Sequence, residues 1–350
     1  MAYSDIGYVS LLVAFVMCIY TGVASITGVR LGYGPLLVST RNGVWMITGL
    51  LLIASGTLIY GFMTHDFGLR YVVLHSSLDM PWYYVSSALW GGQEGSLLYW
   101  ATTLSVLAGL ATWRNRNRYG QLMPYVIATI MIVIAFFLIV LIFATNPFER
   151  LPFSMPDGRG LNPLLRDPGM VIHPPMLLLG YVSWTIPFAF VIAALITGRL
   201  GTEWVRAIRR WTLLAWSIQS IGLLLGAWWA YHVLGWGGYW GWDPVENVAL
   251  LPWITGTASL HSVMVGERRG QLKVWTISLD ILSFLLAIFG TFIVRSGILS
   301  SVHSFAESNI GTCFLILFFV LLCFSIFTII LKAKSLKPRQ KIGSLRGRQS

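Results

Sequence analysis

Apolar residues run through this chain in long blocks, not in alternation and not in narrow stripes. A helix crosses the hydrocarbon core of a bilayer in about 20 residues, at about 1.5 Å per residue. On that measure the blocks predict nine spans, near 8–28, 43–63, 95–112, 122–145, 176–198, 211–229, 248–265, 273–294 and 311–331. Pro187 and Pro252 fall inside spans, which membrane helices tolerate. No repeat of fixed period is visible. The pattern predicts an all-α, polytopic integral membrane protein with about nine transmembrane helices. Residues 1–335 are expected to form one domain, followed by a basic tail, 336–350.

Composition agrees: 56% of the 350 residues are hydrophobic and 11% charged, with a mean hydropathy of +0.72. The three cysteines, Cys18, Cys313 and Cys323, sit inside apolar runs without C-x-x-C or zinc spacing. No disulfide, zinc site or self-attached c-type haem is therefore expected. The first span lacks a basic leader and a small-residue cleavage site, so it reads as a retained helix.

The net charge of +11 raises a nucleic-acid partner, but the placement of the charges argues otherwise. Of 24 Lys and Arg, nineteen fall in the odd-numbered loops and the tail, and five elsewhere: Arg70, Arg150, Arg159, Arg166 and Arg295. By the positive-inside rule the N-terminus lies outside and the C-terminus in the cytoplasm. The charge is a topology signal and no nucleic-acid role is expected. The inner loops hold no phosphate-binding glycine loop, which leaves an ATPase unsupported. Loops 64–94, 146–175, 230–247 and 295–310 face out, and function is expected there.

Within that outer set, residues 236–247 read WGGYWGWDPVEN. Trp236, Tyr239, Trp240 and Trp242 offer flat apolar faces. Gly237 and Gly238 let backbone approach a ligand closely. Two readings compete: a surface for a large planar ligand, and an interfacial aromatic belt. Nine of sixteen Trp lie between Trp204 and Trp253, whereas a belt would be spread over all helix ends. His173, just before the fifth span, and His303, in the last outer loop, flank this loop on the same side. Two neutral imidazoles from opposite directions suit the axial positions of a haem iron. Arg295 is placed to meet a haem propionate. A solvated loop side chain is the competing reading for each.

His261 lies within the seventh span, near its cytoplasmic end, where an ionisable residue is a functional candidate by default. Asp280, in the eighth span, is a candidate partner for its imidazole, or a protonated and inert carboxyl. His65, His75 and His232 are taken as background.

The segments DFGLRYV (66–72), WGGQEGSLLYW (90–100), NPF (146–148), LNPLLRDPGMVIHPPMLLLGYV (161–182), WGGYWGWDPVEN and GTFIVRSGILSSVHSFA (290–306) keep an order that resembles one family. It is the N-terminal part of the CcmF/NrfE family of cytochrome c maturation haem lyase subunits, within the "WWD" haem-handling proteins. The resemblance covers roughly 300 residues. It implies that His173 and His303 ligate the haem being transferred. It also implies that Trp236, Gly237, Gly238, Tyr239, Trp240, Trp242 and Asp243 lie in the loop that cradles it. His261 matches one of two embedded histidines of a resident b-type haem. Haem would arrive on the chaperone CcmE and be joined to the C-x-x-C-H thiols of an apocytochrome c presented by CcmH/CcmI-type proteins, with quinol as electron source. The implied location is the bacterial inner membrane, with the active face periplasmic. The family is longer, and its second embedded histidine falls beyond Ser350. The chain is thus expected to be continued or complemented by a C-terminal half. Gln93, in GGQEGS, is given no ligand role. Rival readings are a haem exporter or delivery protein of the CcmC/CcsA type, a scaffold half, and a quinol-linked electron carrier.

Overall fold

The computed structural model describes residues 3–235, 237–269, 271–301 and 309–336. Trp236, His303 and the tail from 337 onward lie outside the described residues. The chain runs α1 (Tyr3–Leu31), α2 (Gly34–Met63), the short α3 (Arg70–His75) and α4 (Trp82–Ser87), α5 (Gln93–Arg114) and α6 (Met123–Ile139). It continues with α7 (Pro168–Ser183), α8 (Thr185–Thr197), α9 (Glu203–Val233), α10 (Pro244–Arg269), α11 (Lys273–Ser296) and α12 (Ile310–Leu336). Nine helical runs among the described residues are long and apolar enough to cross a membrane, α7 and α8 counting as one interrupted run. They correspond in order to the nine expected spans.

The fifth run begins earlier than its apolar block. Asp167 is the N-cap, its side chain accepting from the Gly169 N–H at 2.7 Å, and Pro168 takes the first helical position. His173 was expected in a loop before the span; it is a buried residue of α7 instead. Pro174 and Pro175 follow His173 within the helix. The same run breaks at Trp184, between α7 and α8. Pro187 has no N–H to offer the Ser183 carbonyl, the usual cause of such a break.

Burial sorts the helices. In the α7–α8 run, 89% of the apolar window is buried, against 22% in α9 and 28% in α12. A helix apolar on all sides belongs at the centre, and α8 is buried from Thr185 to Leu195. α1 packs on α2 and α6, α7 on α9, and α10 and α12 on α11.

The connections 64–92 and 145–167 form a clasp at one end. Leu69 and Arg150 make an antiparallel bridge. Arg70 N donates to the Glu149 carbonyl (2.9 Å) and Leu151 N to that of Gly68 (2.8 Å). Ion pairs Arg70–Glu149 (3.0 Å), Arg150–Asp66 (3.6 Å) and Arg166–Asp79 (2.8 Å) close it.

Candidate functional site

His173 is placed by glycines. α9 carries Gly222 and Gly226 one turn apart, a G-x-x-x-G spacing that lets two helices approach closely. A Cβ on Gly222 would lie 2.8 Å from the Leu177 Cα. A Cβ on Gly226 would lie 2.6 Å from the His173 ring. The imidazole fills the space that the missing side chain leaves. Its Nδ1 is 2.9 Å from the Gly222 carbonyl. A carbonyl only accepts, so Nδ1 carries the proton and, in the neutral ring, the lone pair sits on Nε2. This is how a second partner fixes the tautomer and orientation of a metal-ligating histidine. The Trp229 ring lies 5.7 Å away, tilted by 59°.

The proline pair explains the next contact. Pro174 has no N–H to give the Met170 carbonyl four residues back. Trp90 Nε1–H, from the segment before α5, donates to that carbonyl at 2.8 Å. The Tyr99 hydroxyl, on α5, donates to the Pro175 carbonyl at 3.1 Å. The α5 region is thereby pinned to the α7 turn that bears His173.

These elements enclose a cavity of about 410 Å³, within the range of about 300–1,000 Å³ usual for small-molecule and cofactor sites. His173, Trp90, Trp100, Tyr181, Trp229 and Arg295 all line it. Sequence reasoning singles out His173 and Arg295, which line this cavity together, and does not single out its aromatic wall. The available signal was the WGGQEGS block, whose Trp90, Gly91 and Ser96 all face the cavity.

Arg295 was expected at the start of a loop. It lies in the last turn of α11 and is 2% exposed. Nη1 donates to the Gln93 carbonyl (3.2 Å) and Nη2 to the Ser96 hydroxyl (2.9 Å), and the guanidinium stands 5.7 Å from the Phe314 ring centroid. A propionate would therefore compete with α5 for this group.

In the Trp-rich loop, Tyr239 and Trp242 are 58% and 72% exposed, and neither lines the cavity. Tyr239 stacks on Tyr231 at 4.5 Å, and Trp240 meets Trp242 edge-on at 6.2 Å. Gly237 and Trp242 both have positive φ, 68° and 56°, a backbone that a tryptophan rarely adopts. The D-P-V-E that follows is a helix start. Asp243 Oδ2 accepts from Val245 N (3.0 Å), and Glu246 Oε2 accepts from Asp243 N (3.2 Å) and Gly241 N (2.9 Å). This is the reciprocal arrangement of a capping box, with proline at N1. Asp243 Oδ2 also accepts from the Ser301 hydroxyl at 2.6 Å, joining this loop to the one that carries His303. The loop meets the cavity through its stems, Val233, Leu234 and Val245.

His261 and Asp280 do not pair. Asp280 is fully buried, and its Oδ1 accepts from the Ser259 hydroxyl (2.9 Å) and the Thr212 hydroxyl (3.4 Å). His261 is exposed, on the other side of α10. The expected partnership fails because Ser259 and His261 are two residues apart on a helix, so they point in different directions. Among the described residues no group of three or more His, Cys, Asp and Glu is arranged to hold a metal ion. His75, taken as background, is enclosed in the clasp: its Nδ1 bonds the Tyr71 carbonyl at 2.9 Å, and burial holds its pKa below the ordinary imidazole value.

Residues 90–303 match a family profile described as "Cytochrome C assembly protein". The chain belongs to that family. It is 42% identical over 318 residues to the cytochrome c-type biogenesis protein CcmF of Pseudomonas aeruginosa, covering 91% of this chain and 48% of the relative. With CcmF of Escherichia coli (strain K12) it is 40% identical over 318 residues, covering 91% and 49%. A solved structure titled "Cytochrome c Heme Lyase CcmF" superposes with a TM-score of 0.81 at 28% identity, covering 95% of this chain and 52% of that one. The chain spans about half the length of the curated relatives it matches. Its family and the nine apolar runs among the described residues make it a multi-pass membrane protein of the cytochrome c assembly family.

Proposed function

We propose that this chain holds substrate haem at the outer face of the membrane while the haem is joined to an apocytochrome c. One observation carries the reading. His173 is oriented by the Gly222 carbonyl in an aromatic-walled cavity with a buried arginine in its wall. Aromatic faces suit a porphyrin edge, an oriented imidazole suits its iron, and a cation suits the carboxylate side. His303, two residues beyond Ser301 in the sequence, supplies the second imidazole. The exposed Tyr239 and Trp242 meet the part of the ring that the cavity leaves uncovered.

The chain needs no nucleophile of its own. The two thiols of a C-x-x-C-H segment add across the haem vinyl groups, sulfur bonding to one vinyl carbon and hydrogen to the other. The chain supplies orientation, and the reactivity belongs to the haem and the thiols. The haem would come from the chaperone CcmE, and CcmH/CcmI-type proteins would present the apocytochrome in the periplasm. Arg295 acts through α5, steadying the cavity wall. His261 would serve a resident haem b as one of two ligands. No step is assigned to that haem.

The test is absorption and pyridine-haemochrome spectroscopy on the purified chain supplied with chaperone-loaded haem. Wild type would be compared with His173→Ala, His303→Ala and His261→Ala. Loss of outer-face haem in the first two variants alone is the expected result. No haem uptake by the wild-type chain would reject the proposal in favour of a scaffold half.

A further inference from the structure

A second cavity lies at the opposite end of the bundle, between α1, α2, α5 and α6. It measures about 30 Å³, and its lining includes Arg41, Thr112, Arg116, Arg118, Met123 and Pro124. That volume admits a single oxygen or about one water, not a headgroup. Thr112 is 4% exposed, and its hydroxyl is buried with no hydrogen-bond partner. A helical threonine ordinarily bonds back to the carbonyl one turn earlier, as Thr48 and Thr129 do in this fold. Thr112 does not, and the residue lines the notch.

The charges around the notch are of one sign. Arg41, Arg116 and Arg118 are exposed, and none of the four ion pairs among the described residues uses them. Arg41 donates to the Arg116 carbonyl at 3.1 Å, holding the 115–122 loop against α2. The Ser25 hydroxyl donates to the Pro124 carbonyl at 2.7 Å, holding α1 to the start of α6. The cluster is therefore tied to the bundle. Trp113, next to Thr112, is 57% exposed, and exposed tryptophans at helix ends mark the headgroup level of a bilayer. Leu37 and Ile127 add apolar wall to the notch.

We propose that this notch binds the phosphodiester of an anionic phospholipid in the leaflet on the basic side of the protein. One non-bridging phosphate oxygen enters the notch and accepts from the Thr112 hydroxyl. Arg41, Arg116 and Arg118 neutralise the charge around it, and the acyl chains follow Leu37, Ile127 and Trp113 into the bilayer. Basic pockets between helices at this level are recognised sites for anionic headgroups.

The test uses the full chain in detergent with three probes at matched concentration: phosphatidylglycerol, phosphatidylethanolamine and inorganic phosphate. Binding is read by native mass spectrometry and by the shift in thermal unfolding. Phosphatidylglycerol is expected to bind and stabilise, and the other two are not. Each arginine near a charged headgroup is worth about fivefold in affinity, so the triple Arg41→Gln, Arg116→Gln, Arg118→Gln variant should lose roughly 100-fold. Thr112→Val, close in shape and expected to fold, should lose about tenfold, because its bond is to a charged acceptor. Thr112→Ser should retain binding. Arg114→Gln, in the same basic segment but not on the notch, serves as control. Equal binding of both lipids, an Arg114→Gln loss as large as that of Arg116→Gln, or an undiminished affinity in Thr112→Val would each overturn the proposal. So would inorganic phosphate binding with the same dependence on these residues, which would make the site one for a free anion.

Discussion

Gly226→Ala tests the geometry that places His173. The added Cβ would lie 2.6 Å from the ring Cε1 and 3.0 Å from Nδ1, against an ordinary carbon contact of about 3.5–4.0 Å. The ring must retreat by about 1 Å. The Nδ1–Gly222 bond, now 2.9 Å, would then stretch past hydrogen-bonding range. Overpacking costs about 1–3 kcal/mol and the lost bond about 0.5–1.5 kcal/mol. Better helix propensity returns about 1 kcal/mol. The net expectation is a destabilisation of about 1–3 kcal/mol. Gly222→Ala should cost more, because its Cβ would lie 2.8 Å from the Leu177 Cα, and backbone cannot swing aside as an imidazole can. Gly56→Ala is the control, since nothing lies within 4 Å of a Cβ there. Thermal unfolding in detergent should show the largest loss for Gly222→Ala, a smaller one for Gly226→Ala, and for Gly56→Ala no loss but a gain of up to about 1 kcal/mol from helix propensity alone. Haem retention in Gly226→Ala should fall by about tenfold or more, as when the outer partner of a ligating histidine is removed. If Gly226→Ala unfolded and retained haem as Gly56→Ala does, the packing account of His173 would be wrong.

Trp90→Phe keeps the aromatic wall but removes the donor to the Met170 carbonyl; a destabilisation of about 1–3 kcal/mol is expected in denaturation. Asp243→Ala removes the cap of α10 and the contact to Ser301. It should cost about 0.5–2 kcal/mol, and limited proteolysis of the Trp-rich loop ahead of α10, residues 237–243, should speed up. His261→Ala should leave thermal stability within about 0.5 kcal/mol of wild type, since the side chain is exposed. Burial lowers the His75 pKa, so the unfolded chain takes up that proton more readily than the folded one. The stability it confers is full above the ordinary imidazole pKa and is lost as pH falls through the lower folded value. Unfolding temperature should therefore drop between about pH 7.5 and about pH 5, and His75→Gln should flatten that slope.

The spans were legible because twenty apolar residues in a row have few alternatives. Their ends were less so. The apolar block predicts the fifth span from residue 176, whereas α7 begins at Pro168, eight residues earlier; Pro174 and Pro175 stay within the helix, and the Trp90 indole supplies one of the donors they lack. The D-P start at Asp167-Pro168 was a readable signal that was passed over. His173 and Arg295 were found as chemistry, but the cavity that joins them was not. Its wall is assembled from α5, α7, α9 and α11, and no local pattern announces which apolar faces meet. The capping box in D-P-V-E was legible by spacing alone; it was subsumed under the ligand reading of the loop.

The fate of His261 follows from the opposite face of its helix. α10 meets α11 through three hydrogen bonds between side chains: Thr255–Ser283 at 2.8 Å, Ser259–Asp280 at 2.9 Å and Ser262–Thr276 at 2.7 Å. The positions ascend by four and three along α10 and descend along the antiparallel α11, so they form one continuous row. In hydrocarbon such polar contacts fix how two helices are turned against each other. α9 adds Trp216–Thr257 and Trp253–Ser220 at 2.8 and 2.7 Å on a flanking side. With these faces committed, the remaining stripe, Leu251, Ile254, Ala258 and His261, looks away from the described residues. Turning His261 inward would break all three bonds to α11 and strand the Asp280 carboxyl. An imidazole held outward in a membrane span is costly unless something polar meets it. A polar partner for His261 has to approach from this outward side of α10.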